Sequence, residues 1–176
     1  MDLKQNPAKY WCLAIVAPSI ILLDQWTKHL VHTRFRWGES RNIIQSIFAL
    51  TYVRNSGAAF GLLHKAPPQF RDPFFMVVPI VALVVIFFIF VRLKQEQRLT
   101  ALSLSMIVGG AIGNLVDRLR FGYVIDFLDF HWREVYHWPA FNVADSCIVV
   151  GVSLMFLQSF FPNAGCLTSS GTKKVA

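Results

Sequence analysis

Charge is scarce in this chain. Of 176 residues only 15% are charged, and acidic side chains number 10. With 55% hydrophobic residues and a mean hydropathy of +0.47, it lacks the polar surface of a soluble domain and reads as a membrane protein. Cysteine is rare too. Cys12 and Cys147 lie in apolar runs and Cys166 in the C-terminal tail, which leaves no disulfide framework. The five histidines form no HExxH pattern and no Cys/His cluster. No phosphate loop is present. Ser56 and Ser146 sit in no GxSxG and have no convincing histidine partner, and Cys147 reads as a packing residue. The net charge of +7 belongs to loops beside anionic headgroups. Without a basic helix or an aromatic-studded polar surface it does not point to nucleic acid.

Long apolar runs are what the chain does have. A bilayer-spanning helix needs about 20 mainly apolar residues. Four stretches qualify: 11–30, 74–91, 99–119 and 141–161. Pro18 and Pro79 fall inside the first two, a placement that membrane helices tolerate. The first run has the apolar core of a signal peptide, but Asp-Gln-Trp-Thr-Lys follows it where a small-residue cleavage site would stand, so it reads as an uncleaved span. These runs predict a single membrane domain over 1–162 and a disordered tail over 163–176.

The loop between the first two spans contains RNIIQSIFALTYVRNSGAAFGLL. Phe48, Leu50 and Tyr52 alternate with Ala49, Thr51 and Val53, which predicts a strand, and Asn55-Ser56-Gly57 predicts a turn. The fold class is therefore an all-α membrane protein: four transmembrane helices with a small β-structure between helices one and two, resting on the membrane surface. Arg120 to Ala140 joins spans three and four and carries Trp132, Tyr136 and Trp138, which suit the interfacial belt. Counting basic residues does not orient the chain. One set of loops wins by number, while the termini and the Arg92–Arg98 link win by density.

Four spans put the end of the first, the start of the second, the end of the third and the start of the fourth on one membrane face. The polar residues that intrude on the apolar runs all fall there: Asp24 and Lys28, then Asn114, Asp117 and Arg118, then Asn142 and Asp145. The opposite ends carry nothing comparable. Each group has a plain reading beside a functional one. Asp24 and Lys28, four apart with the acid first, make a helix ion pair. Arg118 can snorkel to the headgroups. Gly109 and Gly113 form a GxxxG packing face. Asn142 can cap the fourth helix, with Asp145 as a favourable anion in its first turn. A carboxylate inside an apolar run is nonetheless a functional hypothesis by default.

Asp126 tips the balance. It lies between apolar residues in Val124-Ile-Asp-Phe127, on the connection that leaves span three and enters span four, so it can approach Asp145. Two carboxylates in one site cannot both ionise cheaply and hold one proton between them. One member can then deprotonate a water while the other protonates a carbonyl. The plain reading makes Asp126 a solvated loop acid. Two rival functions fit less well. A proton-coupled carrier would place its acids at the midplane, often with an inverted repeat, and no repeat is visible. A non-enzymatic assembly factor would keep working without either acid.

Together these segments resemble the lipoprotein signal peptidases (signal peptidase II) of bacteria. Five blocks in order carry the resemblance: Asp24-Gln-Trp-Thr-Lys28, Asn55-Ser-Gly-Ala-Ala-Phe60 with Gly57 inside it, Gly109 to Arg118, Val124 to Phe127, and Phe141-Asn-Val-Ala-Asp145. The resemblance implies that Asp126 and Asp145 are the catalytic dyad of a metal-independent aspartyl endopeptidase without cofactor. The implied substrates are diacylglyceryl-modified prolipoproteins in the phospholipid bilayer, cut just before the lipidated cysteine. The β-structure around Leu50 to Phe60 would be an extracytoplasmic β-cradle. The protein would be a multi-pass protein of the bacterial cytoplasmic (inner) membrane with its active site outside and both termini cytoplasmic. The peptide antibiotic globomycin would inhibit it. Nothing demands an oligomer, so a monomer is expected. Among the supporting residues, Asn55 and Arg118 are expected to bond the substrate backbone, Asn114 and Asn142 to orient the aspartates, and Asp24 and Lys28 to hold span one in place, with Gly57 and Asp117 nearby.

Overall fold

The computed structural model describes residues 7–57, 66–94, 96–133 and 135–160. The expected disordered tail with Cys166, and residues 58–60 of the second block, lie outside the described residues. Among the described residues, four helices are long and apolar enough to cross a membrane. They are α1 (Pro7–Arg34), α2 (Pro68–Arg92), α3 (Arg98–Phe121) and α4 (Val143–Phe160). Each expected span is present, and the first three run past their apolar cores. Polar ends continue the helices: Thr33, for example, bonds back to the His29 carbonyl at 2.8 Å. The 18-residue α4 is about 27 Å long at 1.5 Å per residue, close to the thickness of a hydrocarbon core.

α3 is the hub and packs against α1, α2 and α4. The GxxxG face accounts for part of this. A Cβ on Gly109 would meet the Ala17 carbonyl of α1 at 3.0 Å, and one on Gly113 would meet the Asp24 carboxylate at 2.7 Å. Gly110 faces the other way, against Ala144 of α4. Small residues thus let two helices approach α3 from different sides. Gly122 (φ 77°) ends α3 in the left-handed region, where its N–H bonds the Arg118 carbonyl.

One expectation needs correction. The end of the bundle away from Asp145 does carry a buried polar residue. Lys9 of α1 is buried, and its Nζ donates to the carbonyls of Phe90 (3.1 Å), Val91 (2.8 Å) and Leu93 (3.1 Å). It satisfies carbonyls left over at the end of α2. Along the chain it stands before the first apolar run, as one of the basic residues of the N-terminus.

The sheet is larger than the first loop alone predicted. Strands β1 (Ser40–Ile44) and β2 (Phe48–Asn55) are joined by β3 (Val124–Trp132) and β4 (Tyr136–His137) from the connection between α3 and α4. The order is β1-β2-β3-β4, with antiparallel neighbours. Asp126 therefore stands on a strand and is not a loop acid; it is nearly fully buried, at 1% exposure. β2 follows simple alternation only in part. A register shift between Leu50 and Val53 inserts an extra residue, so Ala49 and Tyr52 are its buried positions. Past the shift, Val53 faces Asp126 and Asn55 faces Val124. Bulges commonly re-aim side chains in this way. β3 pairs without an extra residue of its own, and its first four residues are all buried. Ile125 and Phe127 join Val31 and Tyr52 in a core under the sheet, and Asp126 projects from the other face.

Candidate active site

Two local devices bring Asp126 and Asp145 together. Phe141 pairs with β3: its carbonyl accepts from the N–H groups of Phe127 (3.0 Å) and Leu128 (2.8 Å), and its own N–H bonds the Leu128 carbonyl at 3.1 Å. The next residue, Asn142, is the N-cap of α4. Its Oδ1 accepts the Asp145 N–H at 2.9 Å, and Asp145 Oδ2 accepts the Asn142 N–H at 3.2 Å. This reciprocal pair is a capping box with Asp in the Glu position. The plain reading of Asp145 as a first-turn anion is thus correct, and the same pair aims its carboxylate.

Three asparagines hold the two acids, and chemistry sets which way each amide points. Lys28 Nζ, which can only donate, bonds Asn114 Oδ1 at 2.9 Å, so Asn114 Nδ2 faces Asp145 Oδ1 at 2.7 Å. Asn142 Oδ1 is occupied by a backbone N–H, so its Nδ2 donates to Asp126 Oδ1 at 2.7 Å. Asn55 Oδ1 accepts the Gly57 N–H at 3.0 Å, and its Nδ2 donates to Asp126 Oδ2 at 2.9 Å. Each Asp126 oxygen therefore receives an amide donor. Asn55 was expected to bond the substrate backbone. Here its Oδ1 takes the Gly57 N–H and its Nδ2 gives one of its two N–H groups to Asp126.

Behind the asparagines lies a buried ionic knot. Lys28 Nζ contacts Asp24 at 2.8 Å and Asp117 at 3.0 Å, with side chains 2% exposed or less. Asp24 Oδ1 also accepts the Ala144 N–H at the start of α4, at 3.0 Å. Asp117 Oδ2 accepts the Ile125 N–H at the start of β3, at 3.0 Å. Asp24 and Lys28 are therefore more than a surface helix pair: the knot ties α1, α3, α4 and β3 together. Gln25 had no role in the sequence reading. It donates to Asp117 Oδ1 at 2.8 Å and to the Gly113 carbonyl at 3.1 Å. Its place between Asp24 and Lys28 in the first block was the available signal.

Asp126 and Asp145 line one cavity of about 630 Å³, together with Asn55, Gly57, Asn114 and Arg118. The rest of the wall is mostly apolar, from Trp138 to Phe141 and from Ile148 to Val150. Arg118 is half-buried and lies 5.6 Å from the Phe75 ring centroid. Its guanidinium faces the cavity instead of snorkelling out, and has no hydrogen-bond partner among the described residues. Burial, reinforced by the charge of Asp145, pushes the Asp126 carboxyl up to about 7. A carboxylic acid there still holds its proton in a large share of molecules near neutral pH, beside a second carboxyl group on the same cavity.

The family model for signal peptidase (SPase) II matches residues 16–161. The chain belongs to the signal peptidase II family. All five sequence blocks lie within the matched residues. A lipoprotein signal peptidase of Syntrophotalea carbinolica is 45% identical over 153 residues, covering 87% of this chain and 93% of that one. One from Geobacter sulfurreducens is 50% identical over 142 residues, covering 81% and 86%. A bacterial membrane enzyme solved by the in meso method at 2.3 Å superposes with a TM-score of 0.75 at 29% identity, over 93% of each chain. This member of the signal peptidase II family is thus a multi-pass membrane peptidase.

Two other features were not legible in advance. Most of the apolar wall of the cavity, Trp138 to Ala140 and Ile148 to Val150, comes from segments without motif character. Asp129, His131 and His137 converge on the sheet, although the histidines showed no metal spacing along the chain.

Proposed function

We propose that this chain is a lipoprotein signal peptidase of aspartic type, which removes the signal peptide from diacylglyceryl-modified prolipoproteins by cutting just before the lipidated cysteine. The observation that carries the reading is the pair of carboxylates on one cavity, each oriented by amides of fixed direction, with Asp126 raised to about 7. Asp126 and Asp145 are the catalytic residues. A water between them gives a proton to the Asp145 carboxylate as its oxygen attacks the scissile carbonyl carbon. The Asp126 proton moves to the carbonyl oxygen, forming a neutral diol. Asp145 then protonates the amine as the C–N bond breaks, and Asp126 recovers its proton from the diol. Arg118, without a hydrogen-bond partner among the described residues, bonds substrate carbonyls that would otherwise be orphaned in an apolar groove. Gly57 lines the same wall, and Asn55, Asn114, Asn142, Asp24, Lys28 and Asp117 hold the dyad.

A diacylated substrate stays in the bilayer, so its scissile bond must lie near the headgroups, where helix ends meet a sheet. The apolar wall from Ile148 to Val150 is suited to acyl chains. We place the protein in the bacterial inner membrane with the dyad on the extracytoplasmic side and both termini cytoplasmic. That orientation rests on the family resemblance, since basic residues favour the dyad side by number and the opposite side by density. The protein acts as a monomer, and globomycin inhibits it by occupying the dyad.

Purified protein in detergent, incubated with a diacylglyceryl-modified prolipoprotein, tests the reading. Signal peptide should be released, globomycin or either aspartate-to-asparagine change should stop it, and a chelator should leave it in place. Equal cutting of the unmodified precursor would remove the lipid requirement. Undiminished cleavage by an Asp126→Asn protein would remove the aspartic mechanism.

A further inference from the structure

On the face of β3 opposite to Asp126, alternation places Asp129 and His131 side by side, and pairing with β4 sets His137 directly across from His131. Asp129 Oδ1 lies 3.0 Å from His137 Nδ1 and 4.0 Å from His131 Nδ1. The donor atoms of all three lie within 4.8 Å of one another. In a tetrahedral zinc site with bonds of about 2.0–2.1 Å, neighbouring donors are roughly 3.3 Å apart. The observed separations bracket that value, and rotation of the half-exposed His137 ring can close the widest gap.

His131 supplies the independent reason to expect a ligand. Its side chain is 2% exposed, yet among the described residues neither ring nitrogen has a hydrogen-bond partner. A neutral imidazole always carries one donor and one acceptor, so both are orphaned in a buried place, which is costly. Asp129 is not similarly idle: Thr51 Oγ1 donates to its Oδ2 at 3.2 Å, and His137 Nδ1 lies 3.2 Å from that same oxygen. A carboxylate held by a neighbouring hydroxyl next to two imidazoles is a donor set that suits zinc.

We propose that Asp129, His131 and His137 form a binding site for a divalent cation of the zinc type, separate from the dyad, which staples β4 to β3. The segment that follows β4, Trp138 to Phe141, is one wall of the cavity, so the ion fixes that wall. His137 is the ligand on the solvent side, with its side chain 50% exposed, and a water completes the coordination there.

The test uses tag-free full-length protein in detergent, stripped with a chelator and titrated with zinc chloride. The wild type should take up one ion per chain with micromolar affinity or better. Cobalt(II) in place of zinc should give the visible bands of a tetrahedral ion. Zinc should raise the melting temperature. His137→Ala and His131→Gln should each weaken binding roughly 100-fold or more, since even outer partners of a ligand are worth 10–100-fold, and should abolish the thermal shift. If His131→Gln does not fold, the exposed His137 position decides alone. No stoichiometric uptake by the wild type, or equal uptake by His137→Ala, overturns the proposal. So does a melting temperature that responds to pH but not to zinc, which would make the trio a proton site. No substrate is present, so this outcome is independent of the cleavage reading.

Discussion

α2 and α3 are nearly the same length, 25 and 24 residues, yet they are opposite kinds of membrane helix. α2 buries Phe75 and Phe90, while Val77, Val81, Val84 and Phe88 along it are exposed. α3 buries Gly109, Gly110, Gly113, Asn114 and Asp117 among others, and its neighbours pack on several sides. Hydrocarbon is as apolar as a leucine side chain, so apolar surface alone gives two membrane helices little reason to meet. α2 is held by Lys9 at its C-terminal end, by Phe90 packed with Ala101 and Leu104 of α3, and by the Arg118 guanidinium over the Phe75 ring. α3 is held by glycines that let backbones approach and by buried polar groups with no alternative partner. Apolar composition makes a helix insert; small and polar residues decide which helix becomes the hub.

The contrast is sharpest at the polar core around α3. Asp126→Asn or Asp145→Asn should each lower cleavage by about 10³-fold or more with little change in melting temperature, read by signal-peptide release beside thermal unfolding in detergent. Lys28→Met leaves Asp24 and Asp117 facing each other without their cation. It should cost about 3–5 kcal/mol, the usual loss when one partner of a buried pair is removed. An unchanged melting temperature would show that the knot is hydrated and dispensable. Gly110→Leu pushes α4 away at Ala144 and should cost about 1–3 kcal/mol. The matching lipid-side change, Val84→Leu in α2, should stay within about 0.5 kcal/mol.

Acidity gives a finer test. The proposed acid works while Asp126 is protonated, and burial with the charge of Asp145 raises it to about 7. Cleavage should therefore fall as pH rises through about 7, reported by kcat/KM, with the value belonging to the pair. The Asn55 amide favours the ionised form of Asp126. Asn55→Ala should accordingly move that alkaline limb to higher pH, with a loss of less than about tenfold at neutral pH. A limb that stays put would mean that Asn55 positions the loop without tuning the acid.

Much of this was legible in the chain. A run of 20 apolar residues has few alternatives to a spanning helix, because backbone groups in lipid must bond within their own segment. Asp24, Lys28, Asn114, Asp117, Arg118, Asn142 and Asp145 stood out for the same reason: polar groups in apolar runs are costly. What failed to show was whatever depends on pairing between distant segments. The alternation in β2 did not announce the extra residue between Leu50 and Val53. Val124-Ile-Asp-Phe127 was too short to reveal that it would join β2. Nothing along the chain tied Lys9 to the end of α2.

By itself the sequence determined the four spans and the membrane face that gathers most of the buried polar residues, Asp145 among them, because lipid allows few conformations and tolerates few charges. Only the tertiary structure decided that Phe141 would pair with β3, that three amides would turn their nitrogens to Asp126 and Asp145, and that Asp129, His131 and His137 would converge. Those outcomes depend on strand register and on which donor meets which acceptor across up to 120 residues of chain, as between Asp24 and Ala144. Local periodicity carries no such information.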